Sequence, residues 1–214
     1  MAREIGRGIN GIVYYNPALK CEDDTQPEGE YISKLMSKKK AGAEYSQAEL
    51  IRRAIPYAAI YPEYMCKSSV IEDDKDTLLF SKFGGEPFSI YFEYLDTYTK
   101  GTTPKFNNED HNTILNALYI LRDQIKDMNA KGLYHNDINV ENILYNETTN
   151  TMYLIDFARA DTKNREQKYV KRDLSDDITS INFILESTLN LGEKAQKTTN
   201  GGRRKTRRRR TKMR

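Results

Sequence analysis

The alternation of apolar and polar positions divides the chain into short strands and amphipathic helices. Apolar residues recur at steps of three and four from Glu109 to Lys131, which predicts a long helix that Gly132 ends. Two other segments have helical spacing: 41–55, stopped by Pro56, and 173–191. Short apolar runs predict five strands: 29–36, 64–71, 77–82, 142–145 and 152–155. Residues 87–98 can form a further helix.

Charge is distributed unevenly along the chain. Of 34 Lys and Arg residues, eleven lie from Lys194 to the C-terminus, where there is no acid. The preceding part therefore holds 23 basic and 31 acidic residues, a net charge of −8. This pattern predicts a globular domain over 1–193 and a disordered basic tail over 194–214. The tail predicts nonspecific contact with nucleic acid, a nuclear-localisation signal or a solubilising end.

The cysteines and the hydropathy bear on the compartment. Cys21 and Cys66 have neither a disulfide framework nor metal-ligand spacing, so a reducing compartment is expected. No signal peptide and no apolar run of membrane-spanning length is found, which predicts a soluble intracellular protein without membrane contact.

The stretch 133–159 carries the clearest candidate chemistry. His135, Asp137 and Asn142 spell H-x-D-x-x-x-x-N, and Asp156-Phe157 follows at the end of the next predicted strand. Two carboxylates and an amide at the ends of a hairpin suit Mg²⁺ beside a phosphate, because hard cations prefer oxygen ligands. A hairpin with polar turns is the plainer alternative, but both halves in this order favour the phosphate site.

A glycine-rich segment opens the chain. Gly6, Gly8, Gly11 and Val13 spell G-x-G-x-x-G-x-V, in which backbone N–H groups can approach phosphate oxygens. No helix follows the last glycine, which argues against a dinucleotide-binding turn and favours a hairpin.

Lys34 lies within a predicted strand, whereas the competing Lys38, Lys39 and Lys40 follow it. The predicted helix after that strand places Glu44 on its apolar face. A buried glutamate needs a cationic partner, so a Lys34–Glu44 ion pair is predicted, with Glu49 as the alternative partner.

Together these motifs resemble the protein-kinase-like fold over roughly residues 4–159. The compact chain is similar to RIO-type kinases and to the kinase-like proteins of large DNA viruses, which would place it in a host cell or virion. The resemblance implies an α+β bilobal fold, with a β-rich N-lobe over about 1–83 and a truncated, mainly helical C-lobe over about 84–193. A hinge would lie at Phe83-Gly84-Gly85, where backbone groups would bind an adenine; a simple turn that ends the strand is the equally compatible alternative.

The resemblance also implies roles for individual residues in ATP-dependent phosphoryl transfer. Gly6, Gly8, Gly11 and Val13 would cover ATP. Lys34, paired with Glu44, would bind its phosphates. Asp137 would accept the proton of the acceptor hydroxyl. Asn142 and Asp156 would hold Mg²⁺, and His135 and Phe157 would support the loop.

Three departures keep the acceptor open. Asn139 replaces the lysine usual in Ser/Thr kinases, Ala158 replaces the glycine of D-F-G, and no A-P-E follows. A serine/threonine protein kinase is the first expectation. A small-molecule kinase and a nucleotide-binding pseudokinase scaffold remain alternatives. Asp173 is expected to cap the last helix or to brace the catalytic loop.

Overall fold

The computed structural model describes residues 2–8, 11–15, 18–25, 27–91, 108–162 and 176–191. Its N-terminal part is a five-stranded sheet in which all neighbours are antiparallel, in the order β1-β2-β3-β5-β4. The strands are β1 (Arg3–Gly8), β2 (Gly11–Tyr15), β3 (Tyr31–Met36), β4 (Pro62–Glu72) and β5 (Lys75–Lys82).

Helix α1 (Lys38–Arg52) joins β3 to β4 and packs against β5 and β4. Its buried residue Ala41 contacts the cluster of Met36 and Leu79, whereas Ala48 and Ile51 join the main core. The helix begins three residues earlier than predicted because Ser37, with extended backbone, serves as its N-cap position. One side of α1 therefore connects the sheet to the helical part of the molecule.

The C-terminal part combines a small sheet with helices. The sheet contains β6 (Glu86–Pro87), β7 (Ile143–Asn146) and β8 (Thr151–Leu154) in that order. Helix α2 (Asn108–Ala130) and helix α3 (177–191) enclose the main core, and residues 88–91 are also helical. The core residues of α2 recur at the predicted steps: Ile114, Leu118, Leu121, Ile125 and Met128. The predicted α+β class is confirmed.

Several predicted segments lie wholly or partly outside the described residues. Residues 92–98 of the possible helix are among them, as are Asp173 and the basic tail 194–214. Among the described helices, none combines the length and hydropathy that crossing a membrane requires.

Although the sequence shows no disulfide framework, the structure joins Cys21 and Cys66 in a disulfide. The compartment stays a prediction. Cys21 pairs with Ser68 in an isolated β-bridge, which brings the segment after β2 alongside β4. The pairing was missed because 45 residues separate the two cysteines, and only the folded sheet brings them together.

Candidate active site

A cavity of about 430 Å³ lies between the five-stranded sheet and the β7–β8 hairpin. The residues predicted from sequence for ATP and metal binding all line it: Gly6, Gly8, Gly11, Val13, Lys34, Glu44, Asp137, Asn142 and Asp156. The structure therefore collects in one place residues that are spread over most of the chain. Their individual roles stay predictions.

The β1–β2 hairpin forms one wall of this cavity, and Gly8 pairs with Gly11 across it. A Cβ at Gly11 would lie 2.7 Å from the backbone oxygen of Leu35 and 3.2 Å from Lys34 Cγ. Glycine is therefore required at position 11, because β2 passes close to β3 beside Lys34. Gly6 and Gly8 have open space at the position of a Cβ.

Lys34 lies opposite Val13 and opposite Leu79, its neighbours in the sheet. Its Nζ lies 3.0 Å from Glu44 Oε1, 2.8 Å from Glu44 Oε2 and 3.5 Å from Asp156 Oδ1. The predicted ion pair with Glu44 is present, and the alternative Glu49 instead pairs with Arg52 at 3.2 Å. Lys34 thus connects helix α1 to the end of the β7–β8 hairpin across the cavity.

Burial of these charges sets their protonation. Burial disfavours the charged form of Lys34, but the carboxylates of Glu44 and Asp156 outweigh it and raise the pKa of Lys34. Lys34 is therefore a cation at neutral pH, held where a phosphate can reach it. Burial raises the pKa of Glu44 above its usual value, although the ammonium of Lys34 opposes the change.

Asn139 organises the loop that follows Asp137. Its Oδ1 accepts hydrogen bonds from the backbone N–H groups of Glu141 (2.9 Å) and Asn142 (3.1 Å). Its Nδ2 donates to the backbone oxygen of Asp137 at 3.1 Å, and Asn142 Nδ2 donates to the same oxygen at 2.8 Å. The side-chain amides of Asn139 and Asn142 therefore stabilise the turn. Asn139 has this structural role at the position where Ser/Thr kinases usually have a lysine.

Asp177, a residue that sequence reasoning did not single out, braces this loop. Its buried carboxylate accepts hydrogen bonds from the backbone N–H groups of His135 (2.7 Å) and Asn136 (2.9 Å). In the amide orientation that satisfies both its polar atoms, Asn129 also donates to Asp177 Oδ2 at 3.2 Å. The start of α3 therefore holds the loop in place. The sequence predicts this bracing role only for Asp173.

His135 and Phe157 support the loop through ring packing. The His135 ring packs edge-on against Phe157, with 5.3 Å between the ring centroids. The Nε2 of His135 lies 3.0 Å from the backbone oxygen of Ile155. Phe157 stacks on Tyr61 at 5.2 Å, and both histidine and phenylalanine are almost fully buried. The loop and the residues after Asp156 thus share one packed base.

An apolar slot lies beside the predicted hinge. Val13 and Ile32 line it from the sheet, and Leu144 lines it from β7. A Cβ at Gly84 would lie 2.5 Å from Ile60 Cγ1, and one at Gly85, which has φ +117°, would meet the backbone of Tyr145. The two glycines let the backbone of the predicted hinge approach β7, and the apolar lining suits the burial of a base.

The side-chain oxygens of Asn142 and Asp156, which line the cavity, fit a magnesium ion that a nucleotide brings with it. Asn142 and Asp156 supply an amide and a carboxylate, while the Asn142 Nδ2 is used by the loop, which leaves its Oδ1 for a cation. Within the described ranges, no group of three or more His, Cys, Asp or Glu forms a self-sufficient metal cage. Magnesium sites that use phosphate oxygens need only one or two carboxylates.

The antiparallel sheet, the helical part and the cavity between them have the arrangement of a protein-kinase-like fold. Residues 93–195 match the model of the lipopolysaccharide kinase (Kdo/WaaP) family. The match covers the loop 135–142 and Asp156, and it ends before most of the basic tail. It gives no support to a closer relation with RIO-type or viral kinases. No curated protein matches the chain.

Proposed function

We propose that this chain transfers the γ-phosphate of ATP to a hydroxyl of a small molecule, with a sugar as the favoured class of acceptor. The observation that carries the proposal is the placement of Lys34. Its contacts with Glu44 and Asp156 span a cavity that Asp137 and Asn142 also line. Phosphoryl transfer needs positioned charges more than covalent chemistry by the protein, and this arrangement supplies them.

The acceptor class rests on two further observations. The family model that matches residues 93–195 is that of lipopolysaccharide kinases rather than of protein kinases. In addition, the sequence after Ala158 contains no A-P-E and has about 35 residues before the basic tail, which is little chain for binding a peptide substrate. Both features favour a small acceptor over a serine or threonine of a protein.

In the proposed reaction, the adenine occupies the apolar slot and the glycine hairpin covers the phosphates. Lys34 binds phosphate oxygens while Glu44 keeps its ammonium in place. Asp137 accepts the proton of the acceptor hydroxyl while the oxygen of that hydroxyl bonds to the γ-phosphorus. The bond from that phosphorus to the β–γ bridging oxygen breaks, and its electron pair leaves with ADP. Asn142 and Asp156 would hold Mg²⁺, which supplies charge neutralisation when bound.

The proposal is tested by incubating the chain with labelled ATP and Mg²⁺ and either a panel of sugars and lipopolysaccharide or a generic protein. The wild type is compared with Asp137→Asn and Asp156→Ala, and with Asp127→Asn as an exposed control on α2. We expect label on a sugar, lost in the first two variants and kept in the control. Label on protein would instead support a Ser/Thr kinase. ATP binding without any transfer would support a nucleotide-binding scaffold.

A further inference from the structure

The charge balance of the cavity calls for another cation. Among the described residues, its lining contains five acidic residues and one basic residue, Lys34. The acids are Glu44, Glu86, Asp137, Glu141 and Asp156. Lys34 is already shared between Glu44 and Asp156. Besides the Mg²⁺ that Asn142 and Asp156 would hold, a further positive group would stabilise a phosphoryl group transferred beside Asp137, and the described lining does not supply one.

Asn139 cannot supply that charge. Its side chain is neutral, and both its oxygen and its nitrogen are engaged in the hydrogen bonds that shape the loop. Any change that turned the amide toward a phosphate would break contacts with the backbone of Asp137, Glu141 and Asn142. A further protein cation would therefore come from a residue other than Asn139.

Arg159 lies at the required place. Its Nη1 is 3.3 Å from Asp137 Oδ1, and its side chain is half exposed. Its backbone is held by hydrogen bonds: the Arg159 oxygen accepts one from Asn136 Nδ2, and Asp161 exchanges two backbone hydrogen bonds with Tyr134. The base of the side chain is therefore held firmly while the guanidinium can move.

We propose that Arg159 is a catalytic residue that contacts the transferring phosphoryl group and stabilises its charge. This inference rests on the proposed function. The attacking hydroxyl is hydrogen-bonded to Asp137 in that reaction, so the phosphorus it attacks lies within reach of a group already 3.3 Å from this carboxylate. Exposed ion pairs are weak, so the guanidinium can release Asp137 in part when a phosphate arrives.

The chemistry of arginine suits this position. Its planar fork carries five N–H donors, of which the described residues engage one through Asp137. A guanidinium can therefore keep one donor on Asp137 and direct another at a phosphoryl oxygen. As the oxygen–phosphorus bond to the acceptor forms and the bond to ADP breaks, Arg159 contributes charge and hydrogen bonds, while the proton of the acceptor hydroxyl goes to Asp137.

The test compares Arg159→Gln and Arg159→Lys with the wild type. Arg122→Gln is the matched control, because Arg122 is a surface arginine that also pairs with an aspartate. ATP hydrolysis by water provides a rate that needs no identified acceptor. We expect Arg159→Gln to lower kcat on the order of 100-fold with little change in the KM for ATP, and Arg159→Lys to keep part of the rate.

A binding measurement gives a second readout. ADP with Mg²⁺ and aluminium fluoride mimics the transferring phosphoryl group, whereas ADP alone does not. Arg159→Gln should weaken binding of the mimic on the order of 100-fold and leave binding of ADP unchanged. If Arg159→Gln changes neither kcat nor the binding of the mimic, the inference on Arg159 is overturned and the proposed function stands. A wild type that neither hydrolyses ATP nor transfers its phosphate overturns the proposed function, and the inference with it.

Discussion

The carboxylate of Asp177 accepts a hydrogen bond of 2.7 Å from the backbone nitrogen of His135, two residues before the proposed catalytic base. A second bond of 2.9 Å, from the backbone nitrogen of Asn136, uses the other carboxylate oxygen. Asn136 has a positive φ of 60°, which is uncommon for a residue other than glycine. Helix α3 thus holds a loop whose backbone needs external support.

Replacing Asp177 with Asn should disturb this loop. One of the two oxygens becomes an NH₂ group that faces a backbone N–H, so one buried donor loses its acceptor. We expect a loss of about 1–3 kcal/mol in the free energy of unfolding, measured with denaturant, and a lower rate of phosphate transfer. The control Glu186→Gln removes an exposed carboxylate from the same helix and should change neither quantity. Equal stability of Asp177→Asn and wild type would contradict the bracing role.

The ion pair of Lys34 and Glu44 leads to a second prediction. In Glu44→Gln, Asp156 at 3.5 Å is the one carboxylate that still pairs with Lys34 among the described residues, so the ammonium is less firmly placed for a phosphate. We expect the Kd for ATP to rise about 10-fold or more and the free energy of unfolding to fall by about 3 kcal/mol. Isothermal titration and denaturant unfolding measure the two effects.

Glu49→Gln is the matched control for this experiment. Glu49 lies on the same helix, is 41% exposed and pairs only with Arg52 among the described residues. Its substitution should leave ATP binding unchanged, because exposed ion pairs contribute little. If both glutamine variants weakened ATP binding alike, the specific role of Glu44 would be lost.

Sequence periodicity found Glu44 because the information is local. Glu44 precedes Ala48 by four residues, so the two share one face of α1, and that face is buried. The same local reasoning placed the strands and α2 to within a few residues. The contact of Asp177 with His135 spans 42 residues, and nothing in the spacing around Asp177 distinguishes it from a helix-capping acid.

The disulfide and Arg159 illustrate the same limit. Cys21 and Cys66 are 45 residues apart and belong to no recognisable framework, so only the pairing of strands brings them together. Arg159 follows Asp156 closely, but its approach to Asp137 depends on how the chain turns after Phe157. A sequence motif identifies residues that occur at fixed spacings along the chain. The partners of Cys21 and of Arg159 can be identified only from the tertiary structure.

The disulfide leads to a third prediction, on stability. It closes a loop with a sequence separation of 45 residues, for which the loss of chain entropy in the unfolded state predicts about 4 kcal/mol of stabilisation. The variant with both Cys21→Ser and Cys66→Ser should be less stable by up to that amount in denaturant unfolding. Reductant should destabilise the wild type and leave the double variant unchanged. No difference between oxidised and reduced wild type would contradict this expectation.

His111 predicts how stability depends on pH. It lies on α2, is 8% exposed, and its Nδ1 has no hydrogen-bond partner among the described residues. Burial lowers the pKa of His111 below its usual value, so the folded chain binds a proton less readily than the unfolded chain. The resulting stability is present above the unfolded pKa of about 6.5 and is lost as pH falls through the folded pKa.

His111→Gln removes this titration while keeping a neutral polar side chain. The fall in the free energy of unfolding between about pH 8 and about pH 5 should therefore be smaller in the variant than in the wild type. Denaturant unfolding at each pH measures it. Asn112→Gln, at an exposed position of the same turn, should keep the wild-type dependence. If the free energy of unfolding of His111→Gln and of the wild type fell equally with pH, a group other than His111 would govern the loss of stability in acid.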